Sequence, residues 1–159
     1  MIHINPEIIV EKYKKFQDIH KLPHLSKLTQ TFGFEIEDEE ELLDQIRLEV
    51  FDKILSFTEK VLEPIIMGGD SYSSFFEQEM LSKKEREELF HIYRKIQTLK
   101  WENYLISIRP EEKKNADWIN KAWSFWNTEF ETKVIDTCTK LANGWNDIKF
   151  EKPKKNYLS

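Results

Sequence analysis

The sequence predicts an all-α protein, a single-domain bundle of four to five helices with two short accessory helices. Only four glycines and five prolines interrupt 159 residues, so the segments between them are long. Within those segments apolar residues recur at steps of three and four, the period of a helix that buries one face. No stretch shows the sustained alternation of a strand. Residues 1–146 are predicted to form the bundle, and residues 147–159 a flexible basic tail.

Composition argues against several classes of protein. The single cysteine, Cys138, leaves no intramolecular disulfide and no cysteine-based zinc site. No run approaches the roughly 20 apolar residues that span a bilayer, and the first residues lack a signal-peptide pattern. A cytoplasmic protein without a membrane partner is therefore expected. A net charge of −5 with interspersed signs argues against nucleic acid as a partner.

Lysine outnumbers arginine by 20 to 4. With so few glycines, this bias is typical of hyperthermophile proteins, and an AT-rich genome would produce it equally. The thermophile hypothesis predicts melting above the mesophile range of about 45–65 °C.

The first two helices are bounded by proline and glycine. Asn5 is predicted to be the N-cap of a helix from Pro6 to about residue 21, because proline suits the first helical turn. A short accessory helix is predicted over residues 23–32, where Gly33 supplies the left-handed stop.

The third helix is predicted to be central. It covers about residues 38–62 before Pro64, and its two adjacent apolar stripes give a wide buried arc. Residues 68–69, both glycine, then form a flexible turn. Asp70 is predicted to cap a second short helix, which is rich in aromatic residues.

Two long helices complete the bundle. Ser82 and Glu85 form a capping box that begins a helix reaching residue 108, and the longest helix is predicted over residues 111–145 or only to Gly144. The inward side of the first is predicted to carry Leu89, Ile92, Ile96, Leu99 and Ile106, broadened by Phe90, Tyr93, Trp101, Tyr104 and Ile108. The buried stripe of the second is predicted to carry Ala116, Ile119, Trp123, Trp126, Phe130, Val134, Cys138, Leu141 and Trp145.

Aromatic residues away from these stripes are the first candidates for binding another protein. Trp118 and Phe125 lie on a flank of the longest helix, and Tyr72, Phe75 and Phe76 on the short aromatic helix. Tryptophan is enriched at interfaces. If all five are exposed together, they form an apolar patch of a size that a monomer rarely tolerates.

An acidic run is the second candidate. Seven of the ten residues 35–44 are acidic and none is basic. Acidic side chains favour a helix N-terminus, but seven exceed that need. The run is predicted either to be a solvated helix start or to dock a basic partner, with contact residues Glu37, Asp38, Glu39 and Glu40.

Metal-binding patterns are weak. Glu88 and His91 match the Glu-x-x-His spacing of di-metal bundles, but no second such motif occurs and both lie on a polar stripe typical of a solvated face. Two carboxylate pairs have a spacing that suits magnesium in a nucleotide-hydrolysing site, although both lie on one helix. These pairs are Glu41 with Asp44 and Glu49 with Asp52.

Two hypotheses from different classes follow. Because no catalytic signature or cofactor motif occurs, the leading hypothesis is a non-enzymatic protein that acts by contact, through self-association or by docking a partner protein. The alternative is a small-ligand or metal-dependent enzyme, of nucleotide-hydrolysing or di-metal type, with its site inside the bundle. The residues expected to converge there are His20, Tyr93, Trp101, Asn103, Tyr104 and Glu129. A third hypothesis is nucleic-acid binding by the lysines of the tail.

Overall fold

The computed structural model describes residues 5–149, and in that range it is an all-α single-domain bundle without strands, as predicted. The helices are α1 (Pro6–His20), α2 (Leu25–Phe32), α3 (Leu42–Phe57), α4 (Glu63–Met67), α5 (Tyr72–Met80), α6 (Lys83–Ile108), α7 (Glu112–Phe125) and α8 (Glu131–Asp147). Two π-helical segments, Thr58–Leu62 and Trp126–Phe130, join α3 to α4 and α7 to α8. None of the helices described is both long and apolar enough to cross a membrane.

Local signals place most of the predicted helix ends correctly. The side chain of Asn5 accepts from the Glu7 amide at 3.0 Å, and Gly33 ends α2 in the left-handed conformation at φ 65°. Ser82 and Glu85 make both hydrogen bonds of the capping box. These ends depend on contacts within one turn of the chain, which is why the sequence predicts them.

The predicted start of α3 is wrong. The helix begins at Leu42, because Glu41 takes the left-handed conformation at φ 50°. The side-chain amide of Gln45 donates to the carbonyl oxygens of Asp38 and Glu40. These bonds hold the acidic run as a loop ahead of the helix.

Pro64 does not end the third helix. The chain passes from α3 through the Thr58–Leu62 segment into α4, where Pro64 occupies the first turn. The first turn of a helix needs no amide donor from proline. A change of helix type before Pro64 therefore lets the chain continue to Met67.

The start of α5 and the end of α8 both differ from the predictions. Ser71 rather than Asp70 caps α5, since its hydroxyl accepts from the Ser74 amide at 3.2 Å. Gly144 does not end the last helix but lies against Met80. A Cβ at residue 144 would be 2.5 Å from the Met80 sulfur, so glycine lets α5 approach α8 closely.

The predicted buried stripe of the longest helix holds only in its first part. Past the Trp126–Phe130 segment, Val134 and Thr137 are buried, whereas Cys138 is exposed and Trp145 is exposed in part. Each step of four residues advances about 40° beyond a full turn. Two such steps carry Cys138 off the buried face, so its assignment to the core is wrong.

Candidate functional site

The second half of α6 carries large apolar side chains on two opposite sides. Its core-facing residues are Ile96, Leu99, Asn103 and Ile106, all buried. On the opposite side Trp101, Tyr104, Leu105 and Ile108 are exposed by 62%, 43%, 68% and 74%, and these four form the outer α6 face. A surface helix normally has one apolar stripe, the one that faces the core. The described chain therefore leaves one side of α6 uncovered.

The inward position predicted for several of these residues is wrong. Phe90, Trp101, Tyr104 and Ile108 are exposed, not buried. Counted from Leu99 at about 100° per residue, Trp101 lies about 200° and Ile108 about 180° round the helix. The helical angle predicts this exposure, because residues half a turn from the core stripe cannot belong to the buried face.

α3 extends the outer α6 face sideways. The ring of Tyr104 meets that of Phe51 edge-on at 6.2 Å, and Leu48, one turn before Phe51, is exposed. The face with Leu48 exposes on the order of 500 Å² of apolar surface, given about 150–250 Å² for a large aromatic side chain. The largest patch on a typical monomer is about 300–600 Å² and is often functional.

Charges of both signs surround the outer α6 face. Lys100 places its ammonium group 5.5 Å from the ring centre of Trp101, and Arg109 is exposed at the end of α6. On α3, Glu49 and Asp52 are exposed beside Leu48. The four residues of the face carry no charge, so the charged groups form a rim around an apolar centre.

The side of α6 that meets α7 and α8 is closed by ion pairs. They join Glu85 to Lys140, Glu88 to Lys133, Lys95 to Glu129 and Glu102 to Lys121. On α6, Glu88, Lys95 and Glu102 are spaced by seven residues, which keeps them on one side of the helix. Hydrogen bonds from Lys140 and from the Ser82 cap lower the pKa of Glu85 to about 2.

One of these ion pairs involves Glu88, a predicted metal ligand. The Glu88 carboxylate binds Lys133, which lowers the pKa of Glu88, and His91 is exposed. The polar stripe is thus engaged in part, since Glu88 pairs with Lys133 while His91 stays exposed. Within residues 5–149 no three or more His, Cys, Asp and Glu side chains are grouped as metal ligands.

A buried arginine joins α3, α6 and α7. Arg47 is 1% exposed, and its Nε donates to Asn115 Oδ1 at 2.7 Å. One terminal nitrogen donates to the carbonyl oxygen of Asn103 at 3.0 Å and to the Ser107 hydroxyl at 3.1 Å, and the other donates to Asp44 at 3.3 Å. Asn115 also donates to Asp44 at 2.9 Å. The cluster fastens three helices through groups that bind one another.

The six residues expected to converge inside the bundle lie apart. Asn103 belongs to the Arg47 cluster, while Trp101 and Tyr104 lie on the outer α6 face. The others bind separate partners, His20 with Glu112, Tyr93 with Glu63, and Glu129 with Lys95. No single site in the described bundle uses them together.

One large groove lies on the surface between α1, α2 and the loop that follows. Its volume is about 830 Å³, and its lining includes the buried side chains of Ile9, Tyr13 and Phe34. At its lip Gln17 and His24 are hydrogen-bonded to each other at 3.0 Å. None of the six residues expected to converge inside the bundle lines this groove.

The two predicted contact residues on the longest helix are buried. Trp118 is 2% exposed, and its indole N–H donates to the carbonyl oxygen of Leu99 at 3.0 Å. Phe125 is also buried, against Phe130 at 5.7 Å between ring centres. This flank faces α6 and α3, so its expected part in an exposed patch is wrong.

The aromatic residues of α5 are accessible. The half-buried ring of Phe76 lies at 5.2 Å from Tyr72, 5.8 Å from Phe75 and 5.8 Å from Trp145, measured between ring centres. Tyr72 and Phe75 are largely exposed. The indole N–H of Trp145 donates to Glu77 at 3.0 Å. We call Tyr72, Phe75, Phe76 and Trp145 the α5–α8 cluster.

The acidic run lies exposed on the loop before α3. All four predicted contact residues are exposed, namely Glu37, Asp38, Glu39 and Glu40. The ammonium group of Lys12 donates to the carbonyl oxygen of Glu39 at 2.8 Å, which ties the loop to α1. Docking of a basic partner here stays a prediction.

Comparison with known proteins assigns no family. The chain matches no protein-family model, and no curated protein or solved structure matches it significantly.

Proposed function

We propose that the protein acts by contact rather than by catalysis, and that its outer α6 face binds a second copy of the chain. The observation that carries this proposal is the apolar surplus on α6. Trp101, Leu105 and Ile108 are each more than 60% exposed, on a helix whose other side forms the core. Aromatic residues at the centre of a patch are typical of protein interfaces.

The charge distribution favours a second copy over an unrelated charged partner. A two-fold interface sets a surface against itself, so a charged centre would repel its own copy. The outer α6 face has an uncharged centre, and its rim carries the bases Lys100 and Arg109 beside the acids Glu49 and Asp52. Such a rim can pair with itself.

The size of the patch suits the core of a dimer interface. A stable interface buries about 800 Å² on each partner. The outer α6 face and Leu48 supply on the order of 500 Å² of apolar surface toward that area. The charged rim would supply the remainder.

Light scattering after size exclusion tests the proposal. The wild-type chain is expected at twice its mass of 19.2 kDa, falling to one copy on dilution. Leu105→Glu and Ile108→Glu should each give a monomer, because two copies would bring like charges into an apolar contact. Ile135→Glu, on the exposed side of α8, is the matched control and should leave the dimer intact.

Either of two results would contradict this proposal. One is a wild-type chain that is monomeric at every concentration reached. The other is a dimer that Leu105→Glu and Ile108→Glu leave intact while their circular dichroism shows a folded chain.

A further inference from the structure

The α5–α8 cluster is a second surface that the described residues leave accessible, apart from the outer α6 face. Of the nine residues of α5 only Ser74 is buried, although three of the nine are aromatic. The cluster lies next to the start of α6, whereas the outer α6 face begins at Trp101. Eighteen residues of helix separate Lys83 from Trp101, or about 27 Å. A partner on one surface need not touch the other.

The segment that carries Tyr72, Phe75 and Phe76 has acidic side chains but no basic ones. Between Leu62 and Ser82 the chain has four acidic residues and no lysine, arginine or histidine. The four are Glu63, Asp70, Glu77 and Glu79. Asp70 and Glu79 are exposed, and Glu77 holds the indole of Trp145 beside the rings. Carboxylates therefore accompany an exposed group of aromatic faces.

We propose that the α5–α8 cluster binds a basic segment of a partner protein, one in which lysine or arginine alternates with aromatic or aliphatic side chains. The exposed rings of Tyr72 and Phe75 accept apolar side chains, and aromatic faces also attract a cation. The carboxylates of Asp70 and Glu79 pair with the remaining positive charges. The rings thus match the apolar side chains of such a segment, and the carboxylates match its positive charges.

The same charges disfavour two other occupants. A second copy at this surface would set Asp70 and Glu79 against like carboxylates, which costs affinity. An anionic membrane surface attracts basic segments and would repel this one. The partner is thus distinguished by its positive charge.

Fluorescence anisotropy of a labelled peptide tests the inference on the full chain. The probe is a synthetic 12-residue peptide with four lysines and three phenylalanines, and its control carries glutamate in place of each lysine. At low salt the basic peptide should bind at least ten times more tightly than the acidic one. A double variant Tyr72→Ser/Phe75→Ser and the charge variant Asp70→Asn/Glu79→Gln should each weaken binding about tenfold.

Two matched variants separate this surface from the rest of the molecule. Glu37→Gln/Glu39→Gln removes charge from the exposed acidic loop, and Leu105→Glu removes the outer α6 face. Both should leave the affinity for the basic peptide within about twofold. Leu105→Glu also separates the two proposals, because loss of the dimer with peptide binding retained leaves the α5–α8 cluster standing on its own.

Three results would overturn the inference. They are an absence of binding to the full chain, equal binding of the acidic peptide, and binding that Glu37→Gln/Glu39→Gln abolishes while the α5 variants do not. The last would assign the basic peptide to the acidic loop.

Discussion

The two long sides of α6 differ in how they meet a partner. Toward α7 and α8 the helix carries Glu88, Lys95 and Glu102 at heptad spacing, and each is bound to an opposite charge. On the outer α6 face the last two turns of the helix carry only uncharged side chains, those of Trp101, Tyr104, Leu105 and Ile108. Residues 5–149 cover the first side and leave the second open.

The two sides of α6 show which interactions set the register between helices and which supply the free energy of association. Exposed ion pairs contribute only about 0–1 kcal/mol each, so four of them chiefly fix which turn of α6 meets which turn of α7 and α8. Apolar burial contributes about 25 cal/mol per Å² and does not specify a register. The side of α6 that faces α7 and α8 therefore has both ion pairs and apolar contacts. The outer α6 face has only apolar surface, which drives association.

The largest expected effect comes from matched tryptophans on the two sides. Trp118→Ala should lower the free energy of unfolding by about 3–5 kcal/mol, because it leaves a large cavity between α6, α7 and α3. Trp101→Ala should change it by about 0.5 kcal/mol or less. Urea unfolding, at a protein concentration low enough to hold the monomer, measures both.

The association constant should respond in the opposite order. Trp101→Ala should weaken the dimer at least tenfold, since it removes a central aromatic contact. Equal losses of stability in the two variants would mean that the two sides of α6 do not differ as described.

The next effect concerns the Arg47 cluster. Arg47→Ala should cost about 3 kcal/mol, because the side-chain oxygens of Asn103 and Asn115, which both accept from Arg47, would be left buried without donors. Arg47→Lys keeps the charge but cannot reach all the acceptors of the planar guanidinium group. It should cost about 1–2 kcal/mol by the same denaturant measurement. If Arg47→Lys proves neutral, the charge alone holds the three helices together.

The helices could be predicted because their ends depend on local contacts. The Asn5 cap, the Gly33 stop and the Ser82–Glu85 box each act within one turn. Pro64 misled the prediction, because a π-helical segment before it changes what the next turn requires. Neither apolar spacing nor a capping side chain marks that segment.

The candidate surface was harder to predict than the fold. Which apolar face of α6 is covered depends on where α3 and α7 pack, and that is set by residues distant in sequence. Trp118 and Trp101 are both apolar residues of long helices, yet one is 2% and the other 62% exposed. Exposure of α5 was easier to anticipate, since a short helix after two glycines has few neighbours.

The contact between α5 and α8 provides a smaller test, of close packing without charge. Gly144→Ala should gain up to about 1 kcal/mol in helix propensity, and displacing the flexible end of the Met80 side chain should offset about 1 kcal/mol of that. A net change of about 0.5 kcal/mol or less is therefore expected. In a Met80→Ala background the crowding is gone, and the same substitution should stabilise. A double-mutant cycle with no coupling between the two sites would contradict the packing seen here.

The smallest effect is the pH dependence of the covered side. The pKa of Glu85 is lowered from 4.5 to about 2, and that of Glu88 is also lowered, chiefly by hydrogen bonds from Lys140 and Lys133. A lowered folded-state pKa gives stability that is present above the unfolded value and lost as pH falls through the folded one. The urea midpoint should therefore decrease between pH 4.5 and pH 2, and less so in Glu85→Gln/Glu88→Gln. Since the outer α6 face has no ionisable centre, the dimer constant should stay level from pH 7 to pH 5. A dimer that weakens in that range while the urea midpoint holds would place titrating groups at the interface.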